Sequence, residues 1–111
     1  MKEIKQKQFN KEIADYNFPA SETWSLDSDF IKWLYAHLKM YHEHANKIVD
    51  LTFEKFTFRE KEYTLEECIF YILERCETYL KYPDIDRPMT LQQDIHDAID
   101  MFNMILFVLW W

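Results

Sequence analysis

The chain contains no glycine among its 111 residues and only three prolines. Tight hairpin turns usually rely on glycine, because glycine adopts a left-handed backbone without a steric penalty. A glycine-free chain therefore favours long helices joined by short polar loops. Apolar residues make up 49% of the chain, which is enough for one core. We therefore predict an all-α fold in one domain that spans residues 1–111.

Apolar residues spaced by threes and fours predict a small bundle of three long helices. The first covers about residues 27–55, with a kink or break near residue 50 as an alternative. The second begins after Thr64, because Thr64 and Glu67 have the spacing of a capping box. The third helix begins at a second predicted capping box, residues 90–93, and continues to the last residue.

Two shorter stretches are less regular. We predict that residues 2–15 form a short amphipathic helix or an arm, with Ile4, Phe9 and Ile13 facing inward. Residues 56–63 begin by alternating apolar and polar side chains, which is typical of a strand. A single isolated strand cannot form a sheet, so we predict an ordered loop there.

The last eleven residues, Met101–Trp111, include ten apolar residues. A helix that is apolar on all sides has to be covered on all sides, so the C-terminal helix is predicted to be the central one. Three helices of this size cover it only partly, and we therefore expect a homodimer that shares the aromatic C-terminal half. The apolar run is shorter than the roughly 20 residues of a transmembrane helix, so we predict no membrane insertion.

Acidic residues concentrate in the second half of the chain. Eleven acids and four bases lie between Glu60 and Asp100, which accounts for the whole net charge of −7. Direct binding of nucleic acid is disfavoured, because phosphates require Lys or Arg. The pattern favours a protein partner with a basic surface, bound partly through surplus aromatic side chains. The acids predicted to contact this partner are Glu60, Glu62, Glu66, Glu67, Glu74, Glu77, Asp84 and Asp86.

Four of the acids allow an alternative interpretation. Glu74 and Glu77 form an ExxE pair on one predicted helix, and Asp97 and Asp100 form a DxxD pair on the next. Residues three apart share a helix face, and four carboxylates would suit Mg²⁺. Here the chain resembles the MazG-like all-α nucleoside triphosphate pyrophosphohydrolases, in which ExxE is followed by ExxD and an apolar helix. The resemblance implies Mg²⁺-dependent nucleotide hydrolysis at these four residues, although the second motif begins with Asp instead of Glu. The structural alternative is that Asp97 and Asp100 face water near a helix N-terminus.

Cys68 and Cys76 lie eight residues apart on one predicted helix. Two helical turns separate them by roughly 12 Å, which is beyond disulfide distance. We therefore predict reduced core cysteines and a cytoplasmic location, and the first residues show no apolar signal segment. The four histidines lack zinc-binding spacing, and neither an activated nucleophile nor a phosphate loop is evident. We predict no catalytic residue, and no cofactor apart from the Mg²⁺ alternative.

A second resemblance covers more of the chain. Residues 24–27 (WSLD), 38–41 (LKMY) and 109–111 (LWW) are similar to small bacteriophage proteins with a WxxD helix start, an LKxM sequence and a final WW. The resemblance implies a phage or mobile-element origin. Many small acidic helical phage proteins block host defence nucleases by occupying a basic nucleic-acid channel. By this analogy, the resemblance implies an anti-CRISPR-like inhibitor that acts in the host cytoplasm.

Overall fold

The computed structural model describes residues 2–82 and 86–111. The fold is largely α-helical, as predicted, but within the described residues it has four α-helices and a small antiparallel sheet. Short 3₁₀ turns include Ala20–Thr23 and Leu106–Val108. The main elements in chain order are α1 (Lys2–Tyr16), α2 (Leu26–Ala45), β1 (Lys55–Phe58), β2 (Lys61–Thr64), α3 (Leu65–Leu80) and α4 (Met89–Ile105).

The chain divides into two compact units, Met1–Phe30 and Ile31–Trp111. In the first unit, α1 confirms the predicted N-terminal helix, but Ile4, Phe9 and Ile13 are 68%, 45% and 37% exposed. The predicted inward orientation of these three side chains is therefore wrong. Intervals of five and four residues spread them around the helix, so they do not form a continuous stripe.

The core of the second unit lies between α2, α3 and α4. Each helix supplies one apolar stripe spaced by threes and fours, as expected of helices that bury one face. Leu34, Ile72 and Met101 are at most 1% exposed. Truncating such a side chain to alanine typically costs about 2–5 kcal/mol of stability. The buried residues of this core are Ile31, Leu34, Leu38, Ala45, Leu51, Leu65, Cys68, Ile69, Ile72, Cys76, Tyr79, Leu91, Ile95, Ala98, Met101 and Ile105.

The helix α2 ends at Ala45, well before the predicted end near residue 55. In the loop that follows, the Asp50 carboxylate accepts hydrogen bonds from Thr52 N at 2.9 Å and from Thr52 Oγ1 at 2.6 Å. Such local bonding of a short polar side chain competes with helical hydrogen bonds, and here it also lowers the pKa of Asp50. The loop is attached to α3, because the backbone N of Glu66 donates to the carbonyl of the buried Leu51 at 2.9 Å.

Residues 55–64 form a β-hairpin, so the predicted loop over 56–63 is wrong. The antiparallel register pairs Phe58 with Lys61 and leaves a two-residue turn at Arg59 and Glu60. Both turn residues have left-handed φ angles, 49° and 70°, as in the type I′ turns that glycine and asparagine usually occupy. Alternating apolar side chains indicate the first strand, but the turn residues that would identify a hairpin are absent from the sequence.

The side chain of Arg59 holds this turn in place. Its Nη1 lies 2.6 Å from Oδ1 of Asp97, and its Nη2 lies 3.3 Å from Oδ2 of Asp100. Its guanidinium carbon lies 4.9 Å from the centroid of the Phe58 ring. A left-handed backbone costs a non-glycine residue roughly 1–2 kcal/mol. The contacts with α4 stabilise the turn against that cost.

The helix α4 begins directly after Pro88. The second predicted capping box, at residues 90–93, is not formed, because the N-cap residue is Pro88 and makes no side-chain hydrogen bond. A proline here sacrifices no helical hydrogen bond, since the first N–H groups of a helix have no partner within the helix. The first predicted capping box, at Thr64 and Glu67, is confirmed, with both of its reciprocal hydrogen bonds present.

The C-terminal apolar run is buried at Met101 and Ile105 but not at its end. After Ile105 the chain leaves the α-helix, and Phe107, Trp110 and Trp111 are 92%, 67% and 57% exposed. The prediction of a central helix that continues to the last residue is therefore wrong. One helix buries only the side that faces its neighbours, so the last apolar residues lie on the surface. Within the described ranges, no helix is long and apolar enough to cross a bilayer.

Candidate functional site

A groove between α2 and α3 brings together side chains from one flank of each helix. The lining positions on each helix are spaced mainly by threes and fours, which places them on a common face. The groove, called here the α2–α3 groove, has a volume of about 450 Å³. It is lined by Tyr35, Lys39, His42, Glu43, Phe70, Leu73, Glu74 and Glu77.

The apolar part of the α2–α3 groove is built from rings. Phe70 is 47% exposed, whereas Tyr35 and Leu73 are partly buried and pack against the core. The His42 ring lies 4.7 Å from the Phe70 ring, tilted by 57°, and Lys39 Nζ lies 5.7 Å from the centroid of the Tyr35 ring. Exposed rings in a fixed position offer cation–π contacts to a partner's Arg or Lys.

The rim of the groove is acidic. Among the lining residues, three carboxylates (Glu43, Glu74 and Glu77) stand against a single lysine, Lys39. Lys81 Nζ lies 3.6 Å from Oε1 of Glu77, but both side chains are more than half exposed, and surface pairs of this kind contribute little. The rim therefore places net negative charge beside an exposed aromatic ring.

Glu66 contacts the groove through His42. Its Oε2 lies 3.0 Å from His42 Nε2, and the two side chains are only 26% and 18% exposed. This partly buried pair fixes the histidine ring against Phe70. Glu66 therefore positions a lining residue instead of presenting a free carboxylate to a partner.

The other acids predicted to contact a partner are dispersed. Glu67 accepts from Thr64 N at 3.0 Å, and these capping hydrogen bonds lower the pKa of Glu67. Glu60 lies in the hairpin turn, and Glu62 lies 3.6 Å from Lys55 Nζ. The remaining two are Asp86, which is exposed after α3, and Asp84, which lies outside the described residues.

The four acids of the Mg²⁺ alternative do not converge. Glu74 and Glu77 line the α2–α3 groove, whereas Asp97 and Asp100 contact Arg59 of the hairpin. Burial alone would raise the pKa of Asp97, but hydrogen bonds from Arg59 and Gln93 lower it below its usual value. In the described part of the chain, no three His, Cys, Asp or Glu side chains are placed to hold an ion. These residues therefore do not fit a four-carboxylate magnesium site.

An aromatic cluster lies between the hairpin and α3, and almost nothing in the sequence predicts it. The rings of Phe58, Tyr63 and Tyr71 meet edge to face, with centroids 5.8 to 6.5 Å apart. The guanidinium carbon of Arg75 lies 3.3 Å from the Tyr71 centroid, and its Nη1 donates to the Tyr71 carbonyl at 3.2 Å. Only the four-residue spacing of Tyr71 and Arg75 hints at this pair. The cluster joins the hairpin to α3 and so has a structural role.

The two cysteines are free and buried, as predicted. Burial raises the pKa of the Cys68 and Cys76 thiols to about 11. Because the thiolate is the reactive form of cysteine, neither residue is a candidate nucleophile.

No family model, no curated protein and no solved structure matches this chain. The candidate site is therefore defined by its own geometry. Sequence patterns identify Glu74 and Glu77, but Tyr35, His42, Glu43 and Phe70 join them only through the packing of α2 on α3. An acidic rim around exposed rings is suited to binding positively charged side chains.

Proposed function

We propose that the protein is a non-enzymatic interaction protein that binds a basic surface of a partner protein through the α2–α3 groove. The observation that carries this proposal is the convergence of Glu43, Glu74 and Glu77 around the half-exposed ring of Phe70. A partner's arginine would lie over the ring and donate hydrogen bonds to the carboxylates. Both contacts strengthen when they are shielded from water.

The partner that we propose is a host defence nuclease with a basic nucleic-acid channel. Such a channel is lined by Lys and Arg, because these residues neutralise phosphates. An acidic groove would compete with nucleic acid for the same side chains, and the protein would then act as an anti-CRISPR-like inhibitor. The resemblance to small phage proteins favours the same role.

The geometry favours inhibition over the pyrophosphohydrolase alternative. Mg²⁺ requires several oxygen ligands around one point. Arg59 instead places a cationic side chain between Asp97 and Asp100. The other pair of carboxylates borders a different groove.

Charge reversal in the groove tests the proposal. The double variant Glu74→Lys with Glu77→Lys would be compared with the wild type as an inhibitor of DNA cleavage by a panel of RNA-guided effector nucleases. We expect the wild type to inhibit at least one of them, and the double variant to lose at least about tenfold in potency, because attraction becomes repulsion.

The matched control carries the same charge change at the hairpin. Glu60→Lys with Glu62→Lys is expected to keep the potency of the wild type within about twofold, since charges outside the contact are largely screened. Circular dichroism of both double variants would establish that they are folded. A panel in which no nuclease is inhibited, or an equal loss of potency in the two double variants, would show the proposal to be wrong.

A further inference from the structure

A second groove in the unit Ile31–Trp111 is mostly apolar. It lies between α2 and the end of α4 and has a volume of about 260 Å³. None of its lining residues carries a formal charge when histidine is counted as neutral, although the chain has a net charge of −7. The lining residues are Trp33, Leu34, His37, Leu38, Tyr41, Phe102, Leu106 and Leu109.

The chain end beside this apolar groove is fixed on α2 while its rings stay exposed. Tyr41 Oη donates to the carbonyl of Trp110 at 3.1 Å, and the His44 ring stacks on the Trp111 ring at 5.5 Å with an interplanar angle of 9°. Phe107, however, is 92% exposed. The backbone of Trp110 and the ring of Trp111 are therefore held in place before any partner binds, which lowers the entropic cost of docking.

The exposed apolar area is sufficient for a stable interface. Trp33 is 52% exposed, and together with Phe107, Trp110 and Trp111 it exposes roughly 500 Å² per copy, at about 200 Å² for a large aromatic side chain. Met40, seven residues after Trp33, and Leu106 are 61% and 41% exposed. These two raise the total for two copies to roughly 1,300 Å², within the range of specific interfaces.

Charge and position favour a second copy of the chain as the occupant. Two copies with a charge of −7 each repel one another, so they approach most easily through surfaces that carry no charge. The ring-bearing positions 33, 37, 41 and 44 lie on one flank of α2, and the α2–α3 groove positions 35, 39 and 42 lie on the other. A dimer formed through the first flank therefore leaves the α2–α3 groove open.

We infer that this apolar surface binds a second copy of the chain in a two-fold symmetric dimer, in which Phe107 of each copy enters the apolar groove of the other. Two-fold symmetry uses each ring and each groove once, so the assembly closes as a dimer. The dimer carries two α2–α3 grooves on its outer side. This inference does not depend on the proposed function.

Light scattering after size-exclusion chromatography, over a dilution series, tests the dimer. The wild type is expected to show twice the chain mass of 13.8 kDa. Phe107→Asp is expected to weaken association at least about 100-fold, because a carboxylate does not enter an apolar groove without a partner. The matched control is Phe53→Asp, which alters an 80% exposed ring in the loop before β1, and it is expected to remain dimeric.

Cross-linking tests the predicted seating of the ring. Phe107→Cys and Trp33→Cys chains, mixed and oxidised, are expected to form a mixed disulfide dimer, whereas the native cysteines are buried and do not interfere. Because Phe107 contributes nothing to the core, Phe107→Asp should keep the circular dichroism spectrum of the wild type. A wild type that stays monomeric at every concentration, a dimer that survives Phe107→Asp, or the absence of the mixed disulfide would each overturn the inference.

Discussion

Thr64 and Glu67 cap the start of α3 through hydrogen bonds within one helical turn. Thr64 N donates to the Glu67 carboxylate at 3.0 Å, and Glu67 N donates to Thr64 Oγ1 at 3.1 Å. Both bonds depend only on local backbone geometry, so the three-residue spacing predicts them. The pair defines the start of α3, which places Phe70, Glu74 and Glu77 on the flank that faces α2.

At the two cysteines, by contrast, the chemistry is decided by burial. A pKa of about 11 leaves roughly one thiol in a thousand as thiolate at pH 8, compared with about one in four for a free cysteine. We predict that Ellman's reagent labels the native protein only at the rate of unfolding, and labels both cysteines at once in denaturant. Rapid labelling of native protein at pH 8 would contradict this.

The same pKa shift predicts how stability changes at alkaline pH. The folded protein favours the neutral form of each thiol, because burial raises the thiol pKa. This preference contributes fully to stability below the pKa of an unfolded cysteine, about 8.5. The contribution is lost as the pH rises towards the thiol pKa in the folded protein, about 11. Urea unfolding between these pH values should therefore show falling stability.

At the scale of elements, the hairpin depends on a turn that its own residues disfavour. Arg59 and Glu60 both adopt left-handed φ angles, and glycine would adopt them without cost. The conformation persists because Arg59 contacts Asp97 and Asp100 on α4. The hairpin is thus positioned by α4 as much as by its own strand pairing.

Replacing Glu60 by glycine should therefore stabilise the protein. We expect Glu60→Gly to raise the free energy of unfolding by up to about 1 kcal/mol, because relief of the left-handed backbone outweighs the added entropy of the unfolded chain. The matched control, Glu62→Gly, places glycine within β2 and should lower stability by roughly 0.5–1 kcal/mol. If urea denaturation gave the same sign for both variants, turn strain would not be the cause.

At the scale of the whole molecule, α2 separates two surfaces of opposite character. One flank contributes Tyr35, Lys39 and His42 to the α2–α3 groove, and the other contributes Trp33 and Tyr41 to the apolar groove. The core stripe of α2 lies between the two flanks. One helix therefore carries both the surface proposed for a charged partner and the surface proposed for a second copy of the chain.

This separation predicts opposite responses to salt. Raising the NaCl concentration from about 0.1 to 0.5 M should weaken the proposed nuclease inhibition at least about tenfold, because screening reduces attraction between the acidic rim and a basic channel. Dimerisation through an uncharged apolar surface should persist or strengthen over the same range, since salt also reduces repulsion between acidic copies. Light scattering and cleavage assays in the same buffers would reveal the difference, and a parallel loss of both activities would contradict it.

The largely helical fold and the buried stripe of α3 could be predicted from the sequence, because helical periodicity and the Thr64–Glu67 capping box are local properties of the chain. The hairpin could not, because its turn at residues 59–60 is stabilised by carboxylates about forty residues away. The end of α4 could not be predicted either, since an apolar sequence does not show whether neighbouring elements suffice to cover it. For the candidate site, the sequence already shows that acids and aromatics are abundant on α3. Only the packing of α2 on α3 decided that Glu43 and Tyr35 join Glu74 and Glu77 in one groove, because the distance between two helices is set by the core that both of them bury.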